Sequence, residues 1–298
     1  MRKALFLFNP HAGKGKINSG LSTVIDLLTK SGFLVTTYPS QARGDASMKI
    51  RQWGEDYDRI VVAGGDGMLH EAVNGLMALE KKPDLGYIPT GTVNDFAVSN
   101  SIPKALGRSA QVAAADHTEK VDLGRFNDEY FSYVAAFGAV TDVPYTTDQG
   151  AKNTFGFLAY LFNAAKYMDM RTLFGACRQI TITTDDGIID GEFLLGCISN
   201  SRSIGSLKQI LPKDVRLDDG LLEGLFIRKP ANLLELNNVL NALLVGNLKA
   251  KNIVSVKSAR FDLEFGQEAA WTLDGEDGSV HKSVSISACR QCLPVLLP

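Results

Sequence analysis

Residues 59–76 read RIVVAGGDGMLHEAVNGL, and three kinds of local order follow one another within them. Ile60 to Ala63 form a short apolar run of the kind a buried strand needs. Gly64, Gly65 and Gly67, with Asp66 among them, interrupt it. Leu69, Val73 and Leu76 then recur at helical spacing. Strand, glycine turn and helix in that order give a phosphate-binding geometry. Glycine permits positive φ and close backbone approach, and the first N–H groups of the helix are free to receive phosphate oxygens. Asp66 repels phosphate, so its plausible use is to hold a cation, or that cation's water shell, beside a nucleotide. Taken alone, the stretch also reads as a structural turn.

Working outward, Lys3 to Phe8, Phe33 to Thr37 and Leu85 to Ile88 join Arg59 to Ala63 as strand signals, each bounded by Gly, Pro, Asn or Asp. Leu21, Val24, Ile25 and Leu28 repeat at helical spacing between them, as do Leu69, Val73, Leu76 and Leu79. The alternation predicts a parallel sheet flanked by helices, with ligands beyond the carboxyl ends of its strands. Two further loops belong on that edge. Asn9, Pro10, His11, Ala12, Gly13, Lys14, Gly15 and Lys16 follow the first strand, and Pro89, Thr90, Gly91, Thr92, Val93, Asn94, Asp95 and Phe96 follow the strand ending near Ile88. The chain has no G-x-x-x-x-G-K-[ST], and no G-x-G-x-x-G follows its first strand, which disfavours a P-loop fold and a simple NAD dehydrogenase.

From about Val121 the texture changes to longer or alternating apolar segments, including Tyr130 to Phe137, Gln179 to Thr184 and Glu192 to Ile198. These predict a second, mainly antiparallel β domain. Helical patterns over Phe155 to Met168 and Leu233 to Leu248 are apolar enough to mark either a buried wall or a greasy cleft. With 298 residues and 45% apolar content, two cores are affordable. A formal charge of -2, from 31 Lys plus Arg and 33 Asp plus Glu, gives no general electrostatic footprint for nucleic acid. No apolar run exceeds eight residues, against the roughly 20 that span a bilayer, and the five before Asn9 and Pro10 are too few for a signal peptide. Four cysteines fit reduced thiols in a cytosol; Cys289 and Cys292 form a lone C-x-x-C that supports zinc only weakly.

Two acidic turns lie in the second half. Ala270 to Leu273 reads as a short strand delivering Asp274, Gly275, Glu276, Asp277 and Gly278. This is either a plain hairpin turn or a carboxylate aimed into a cleft, where it could accept a proton from an alcohol. Arg216, Leu217, Asp218, Asp219, Gly220 and Leu221 form the other, which is solvated or holds a hard divalent cation through carboxylate and carbonyl oxygens.

Asn9-Pro10 with Gly13-Lys14, GGDG at Gly64 to Gly67, GTVNDFA at Gly91 to Ala97, DDG at Asp218 to Gly220 and DGE at Asp274 to Glu276 occur in that order. As an ordered set spanning nearly the whole chain, they resemble the soluble diacylglycerol kinase-like lipid kinases of bacteria, whose fold is shared with NAD kinases and phosphofructokinases. The resemblance implies an α/β fold with an N-terminal parallel-sheet nucleotide-binding domain, residues 1–122 with 285–298, and a mainly antiparallel β-sandwich domain, residues 123–284, that takes the lipid. It implies ATP as phosphoryl donor, contacted by Asn9, Pro10, His11, Ala12, Gly13, Ser40, Gly64, Gly65, Asp66, Gly67, Met68, Leu69, His70 and Thr92. Glu276 becomes the general base. Asp219 joins the backbone carbonyls of Arg216 and Leu221 around a structural Mg²⁺, and Asp66, Asp95 and Asp122 complete the acidic network linking that metal to the active site, whose catalytic residues are Glu276 and Asp66.

The departures are local. The family usually has Thr, Leu, Asn after GGDG, where this chain has Met68, Leu69 and His70. Backbone N–H groups do most of the cradling in such loops, so phosphate binding should survive while nucleotide affinity or base preference shifts. The resemblance implies a lipid alcohol and ATP as partners, no nucleic acid, and a cytoplasmic protein in peripheral contact with the inner membrane surface. A kinase for a soluble substrate and a weakly catalytic nucleotide- or lipid-binding regulator are the competing functions.

Overall fold

The computed structural model describes residues 1–138, 175, 177–202 and 215–298. The chain divides into two compact units, Met1–Leu123 with Arg290–Pro298, and Gly124–Cys289. The expected helix over Phe155 to Met168 lies outside the described residues.

In the first unit, β1 (Arg2–Phe8), β2 (Phe33–Pro39), β3 (Arg59–Gly64) and β4 (Asp84–Pro89) pair in parallel in the order β2-β1-β3-β4. Phe6 and Phe8 face one side of the sheet and Leu5 and Leu7 the other, and all four are buried. Both faces are therefore covered, which explains why β1 and β3 are continuous apolar runs while the edge strand β2 is half exposed. Helices α1 (Leu21–Lys30) and α5 (Leu106–Ala114) pack Val24, Leu28, Ala110 and Ala113 against Phe6, Val61 and Ile88. The other helices are α2 (Asp45–Trp53), α3 (Asp66–Met77) and α4 (Asp95–Ser99). The chain returns to this unit at its end, where Val295 pairs in parallel with Leu85.

The described strands of the second unit pair antiparallel. β7 (Val134–Gly138) lies between β9 (Gly187–Ser199) and β12 (Arg260–Leu273), as does β8 (Arg178–Thr184) further along the same two strands. β10 (Leu222–Arg228) pairs with β9 and with β11 (Ile253–Ser258). Side chains alternate between two cores, as the two-residue strand period requires. Ala135, Phe137, Ile198 and Phe226 join an aromatic core with Trp271, whose ring lies 4.9 Å from Phe137. Val134, Ala136, Cys197, Leu225 and Ile227 instead meet Leu236, Val239, Leu240 and Leu243 of α6 (Leu233–Leu244). No described helix is long and apolar enough to cross a membrane.

Two sequence expectations need correction here. The run Tyr130 to Phe137 is divided between β6 (Glu129–Phe131), which pairs antiparallel with β5 (Thr118–Phe126), and β7, with Ser132 and Tyr133 between. Its backbone leaves the ladder because the Asp274 carboxylate takes it over. Asp274 accepts from the N–H groups of Ser132 (2.7 Å), Tyr133 (2.9 Å) and Val134 (3.1 Å), and from Ser132 Oγ (3.0 Å). The short strand expected over Ala270 to Leu273 is the last part of the 14-residue β12, whose pairing with β13 (Glu276–Leu296) shifts register near Glu264 and Ala270. Asp274 and Gly275 make the two-residue hairpin between them, both at positive φ (52° and 84°), as a primed turn demands.

Asp274 is thus a buried clamp whose removal strands three main-chain donors. Each such loss costs about 1–3 kcal/mol, so Asp274→Ala is expected to lower the unfolding free energy by roughly 3 kcal/mol or more. Urea unfolding should show a lower midpoint; an unchanged midpoint would contradict the clamp.

Candidate functional site

Because β1 to β4 run parallel, their carboxyl ends share one edge, where Phe8 pairs with Pro39 and Ala63, and Gly64 with Pro89. Asn9, Ser40, Gly65 and Thr90 begin the four loops that leave it. Main-chain bonds fasten three of them to a neighbouring strand: Asn9 N–H to the Ala63 carbonyl (3.0 Å), Ser40 N–H to that of Phe8 (2.9 Å), and Thr90 N–H to that of Gly64 (2.9 Å).

Three of these loops touch where there is no side chain. Gly13 sits at φ +55° against the carbonyl of Thr90, and any Cβ there would run into it. A Cβ on Gly91 would lie 2.5 Å from the Cα of Gly65. Gly65 is the N-cap of α3, and the first intrahelical bond runs from Leu69 N–H to its carbonyl (3.2 Å). The N–H groups of the preceding turn, at Gly67 and Met68, have no acceptor within the helix, the condition under which a helix start receives an anion.

Asn94 clips the loops together. Held in the left-handed region (φ 56°), it accepts from Gly91 N–H (3.1 Å) and the Tyr87 hydroxyl (3.1 Å) on Oδ1, and donates from Nδ2 to the Gly91 carbonyl (2.8 Å). Its own N–H donates to Asp66 Oδ2 (3.0 Å), so the first residue of α3 is tied to the loop after β4. Burial, with the Asp66 charge adding to it, pushes the Tyr87 hydroxyl well above the usual tyrosine range, which keeps it a neutral donor. His11 N–H turns back onto Asn9 Oδ1 (2.9 Å), shaping the first loop.

Of the residues expected at the nucleotide, Thr92 is exposed, and Asn9, Pro10, Ala12, Ser40, Gly65, Asp66 and Gly67 are half-buried. Met68 and His70 are each 7% exposed, and Met68 fills the space over Gly64 that a side chain there would need. Leu69 is wholly buried and its N–H is spent within α3, which makes it a packing residue. Asp95 and Asp122 are also buried, and Asp122 Oδ1 accepts from Gln291 N–H (2.6 Å). Glu71 has no counterpart among the expected residues. Its carboxylate accepts from Gly44 (2.8 Å) and Ala46 (3.0 Å) and so caps the start of α2, the helix entered from the Ser40 loop. Its partners lie 25 and 27 residues back in the chain, beyond any local signal.

The acidic residues of the second unit divide into anchors and exposed groups. Glu276 opens β13 directly after the Asp274 clamp and pairs across the hairpin with Leu273. Its surface is half-buried. Asp219 accepts from Leu221 N–H on Oδ1 (3.1 Å), and the Lys257 ammonium stands 2.9 Å from Oδ2 and 3.3 Å from Glu223. Burial pushes the Glu223 carboxyl up to about 7, with Lys257 pulling against it. Arg216 turns its guanidinium to Asp218 (3.3 Å). A carboxylate with backbone carbonyls is the kind of oxygen set a hard cation takes, and Lys257 already neutralises part of the negative charge at Asp219. Among the described residues no three His, Cys, Asp or Glu side chains gather as a metal cluster. Burial pushes the Cys197 thiol up to about 12 and that of Cys177 to about 11, leaving both unreactive.

Residues 3–126 match the diacylglycerol kinase catalytic domain. The chain is 32% identical to a diacylglycerol kinase of Staphylococcus carnosus over 93% of its length and 89% of the relative's. It is 33% identical to a diacylglycerol kinase of Staphylococcus haemolyticus, over 93% of this chain and 83% of that one. A crystal structure of a diacylglycerol kinase from Bacillus anthracis superposes with a TM-score of 0.78 at 22% identity, covering 100% of this chain and 97% of that one, which shows the shared fold. With near-complete coverage of relatives above 30% identity and the catalytic-domain match over the glycine loops, the chain belongs to the diacylglycerol kinase family and is a kinase.

Proposed function

We propose that this kinase transfers the γ-phosphoryl group of MgATP to the hydroxyl of a lipid such as diacylglycerol, in the cytoplasm and in peripheral contact with the inner membrane surface. The observation that carries the proposal is the junction of the Gly13, Gly65 and Gly91 backbones at the carboxyl edge of four parallel strands, where main chain meets main chain beside the first-turn N–H groups of α3. In this assignment residues 1–122 with 285–298 bind the nucleotide. Asn9 to Gly13, Ser40, Gly64 to Met68 and Thr92 surround the phosphates, and Asp66 faces the cation that accompanies them. Residues 123–284, as a β-sandwich, take the lipid.

The transfer balances simply. The lipid oxygen forms a bond to the γ-phosphorus as the bond from that phosphorus to ADP breaks, and the hydroxyl proton passes to the Glu276 carboxylate. Little covalent chemistry falls to the protein, so positioning and electrostatics supply most of the rate. Phosphate held by main-chain N–H groups tolerates Met68 and His70, whose buried side chains pack rather than bind. A divalent cation held by Asp219 and the carbonyls of Arg216 and Leu221 would brace the turn of residues 216–221 and take no part in the transfer.

Three outcomes test these roles. Glu276→Gln should lower kcat by about 10² to 10⁴-fold with ATP affinity unchanged, and full turnover by the folded variant would remove the base from this position. Gly91→Ala forces its own loop and that of Gly65 apart; at about 1–3 kcal/mol for such overpacking, calorimetry should read at least a severalfold weaker affinity for a non-hydrolysable ATP analogue. Unchanged affinity would mean the phosphates lie elsewhere. Asp219→Ala should abolish the rise in melting temperature that Mg²⁺ produces without nucleotide, whereas a retained rise would count against Asp219 as ligand.

A further inference from the structure

Nine large apolar side chains of the described residues are well exposed, and four of them sit on α6 and its C-cap: Leu233 (44%), Leu234 (69%), Leu244 (42%) and Val245 (78%). Leu234, Asn238, Asn241 and Val245 follow one another at helical spacing down the outer face, with Asn237 and Leu244 beside them, all exposed. That face spans about 16 Å and carries no charge, whereas the outer face of an ordinary surface helix is charged. The helix has one ionisable residue, Glu235, and it is used as a cap. Glu235 accepts from Ala231 N–H (2.9 Å), Lys251 Nζ (2.7 Å) and Asn252 Nδ2 (3.0 Å), while the Asn232 side chain accepts from Glu235 N–H (3.0 Å).

Cations border the same face. An open cleft beside the helix start is lined by Arg228, Lys229 and Lys251 against Glu192 and Glu235. Lys229 and Lys251 are each bonded to one of those carboxylates, but Arg228 donates to the Asp190 carbonyl (3.0 Å) and lies over the Phe193 ring (5.0 Å). Exposed Lys249 follows the other end of the helix. The surplus is therefore positive in a chain whose formal charge is -2.

We infer that the outer face of α6 docks this protein on an anionic lipid bilayer, with Leu234 and Val245 entering the headgroup boundary, the asparagines lying level with it, and Arg228 and Lys249 facing acidic headgroups. An uncharged face enters that boundary without desolvating an ion, and local cations offset the overall negative charge. The inference rests on the proposed function in one respect, that the acceptor is a bilayer lipid.

Co-sedimentation with vesicles of phosphatidylcholine alone, or mixed with phosphatidylglycerol, tests it. Wild type should bind the mixed vesicles at least severalfold better, less so at high salt, since each cation at such a surface contributes about fivefold. Leu234→Glu with Val245→Glu should weaken binding about tenfold or more at unchanged melting temperature, because both side chains are already in water. Lys249→Glu should weaken it severalfold. Equal binding to both vesicles, no binding, or full binding by the double variant overturns the inference. So does a concentration-dependent dimer that the double variant abolishes, which would assign the face to a second copy. Phosphoryl transfer to short-chain diacylglycerol in detergent micelles separates the two claims. A double variant that loses vesicle binding but keeps micellar transfer is the expected pair of results, while absence of micellar transfer in wild type defeats the proposed phosphorylation of diacylglycerol and leaves the docking result standing.

Discussion

The first unit depends on main chain meeting main chain at the carboxyl edge of its sheet. Gly13 lies against the Thr90 carbonyl and Gly65 against Gly91, in places where a single added carbon would collide. The opening turn of α3 keeps its N–H groups at that edge because Gly65 caps it and Asp66 is bonded to Asn94. Asn94 in turn closes the loop after β4 through Gly91 and Tyr87. Parallel strand pairing alone would bring the four loops to one side; the glycines let them close into one floor.

The second unit shows how two acids two residues apart take different work. Asp274 is 2% exposed and accepts four hydrogen bonds, which fixes the hairpin and leaves it unsuited to chemistry. Glu276, one turn residue later, is held by that clamp with its surface half open. A similar division runs through Glu235, whose charge is spent on a helix cap and leaves the outer face of α6 free of charge. Its three hydrogen bonds hold its carboxyl down to about 2, so the cap stays ionised throughout the neutral range and weakens only as pH falls from the ordinary carboxylate range toward that value.

Much of this was legible in the sequence where the determining chemistry is local. β1, β3 and β4 are buried on both faces and read as unbroken apolar runs, and the glycine loops announce themselves by composition. Helices α2 and α5 were not foreseen, since DASMKIRQW offers Ile50 as its one buried large apolar residue and LGRSAQVAA packs through alanines. The break at Ser132 and Tyr133 was invisible because its cause is a carboxylate more than 140 residues away. Shorter but still non-local separations hide Glu71 as the cap of α2 and Lys257 as the partner of Asp219. GGDG predicted a turn before a helix correctly, but that Leu69 turns into the core follows from which face α3 buries, which the motif does not state.

The most direct test is to incubate the purified protein with γ-labelled ATP and a total lipid extract, partition the products between organic and aqueous phases, and weigh the labelled species. Label in the organic phase, on a lipid that has gained one phosphoryl group, is the result this account predicts. Label confined to inorganic phosphate or to a water-soluble acceptor would contradict it.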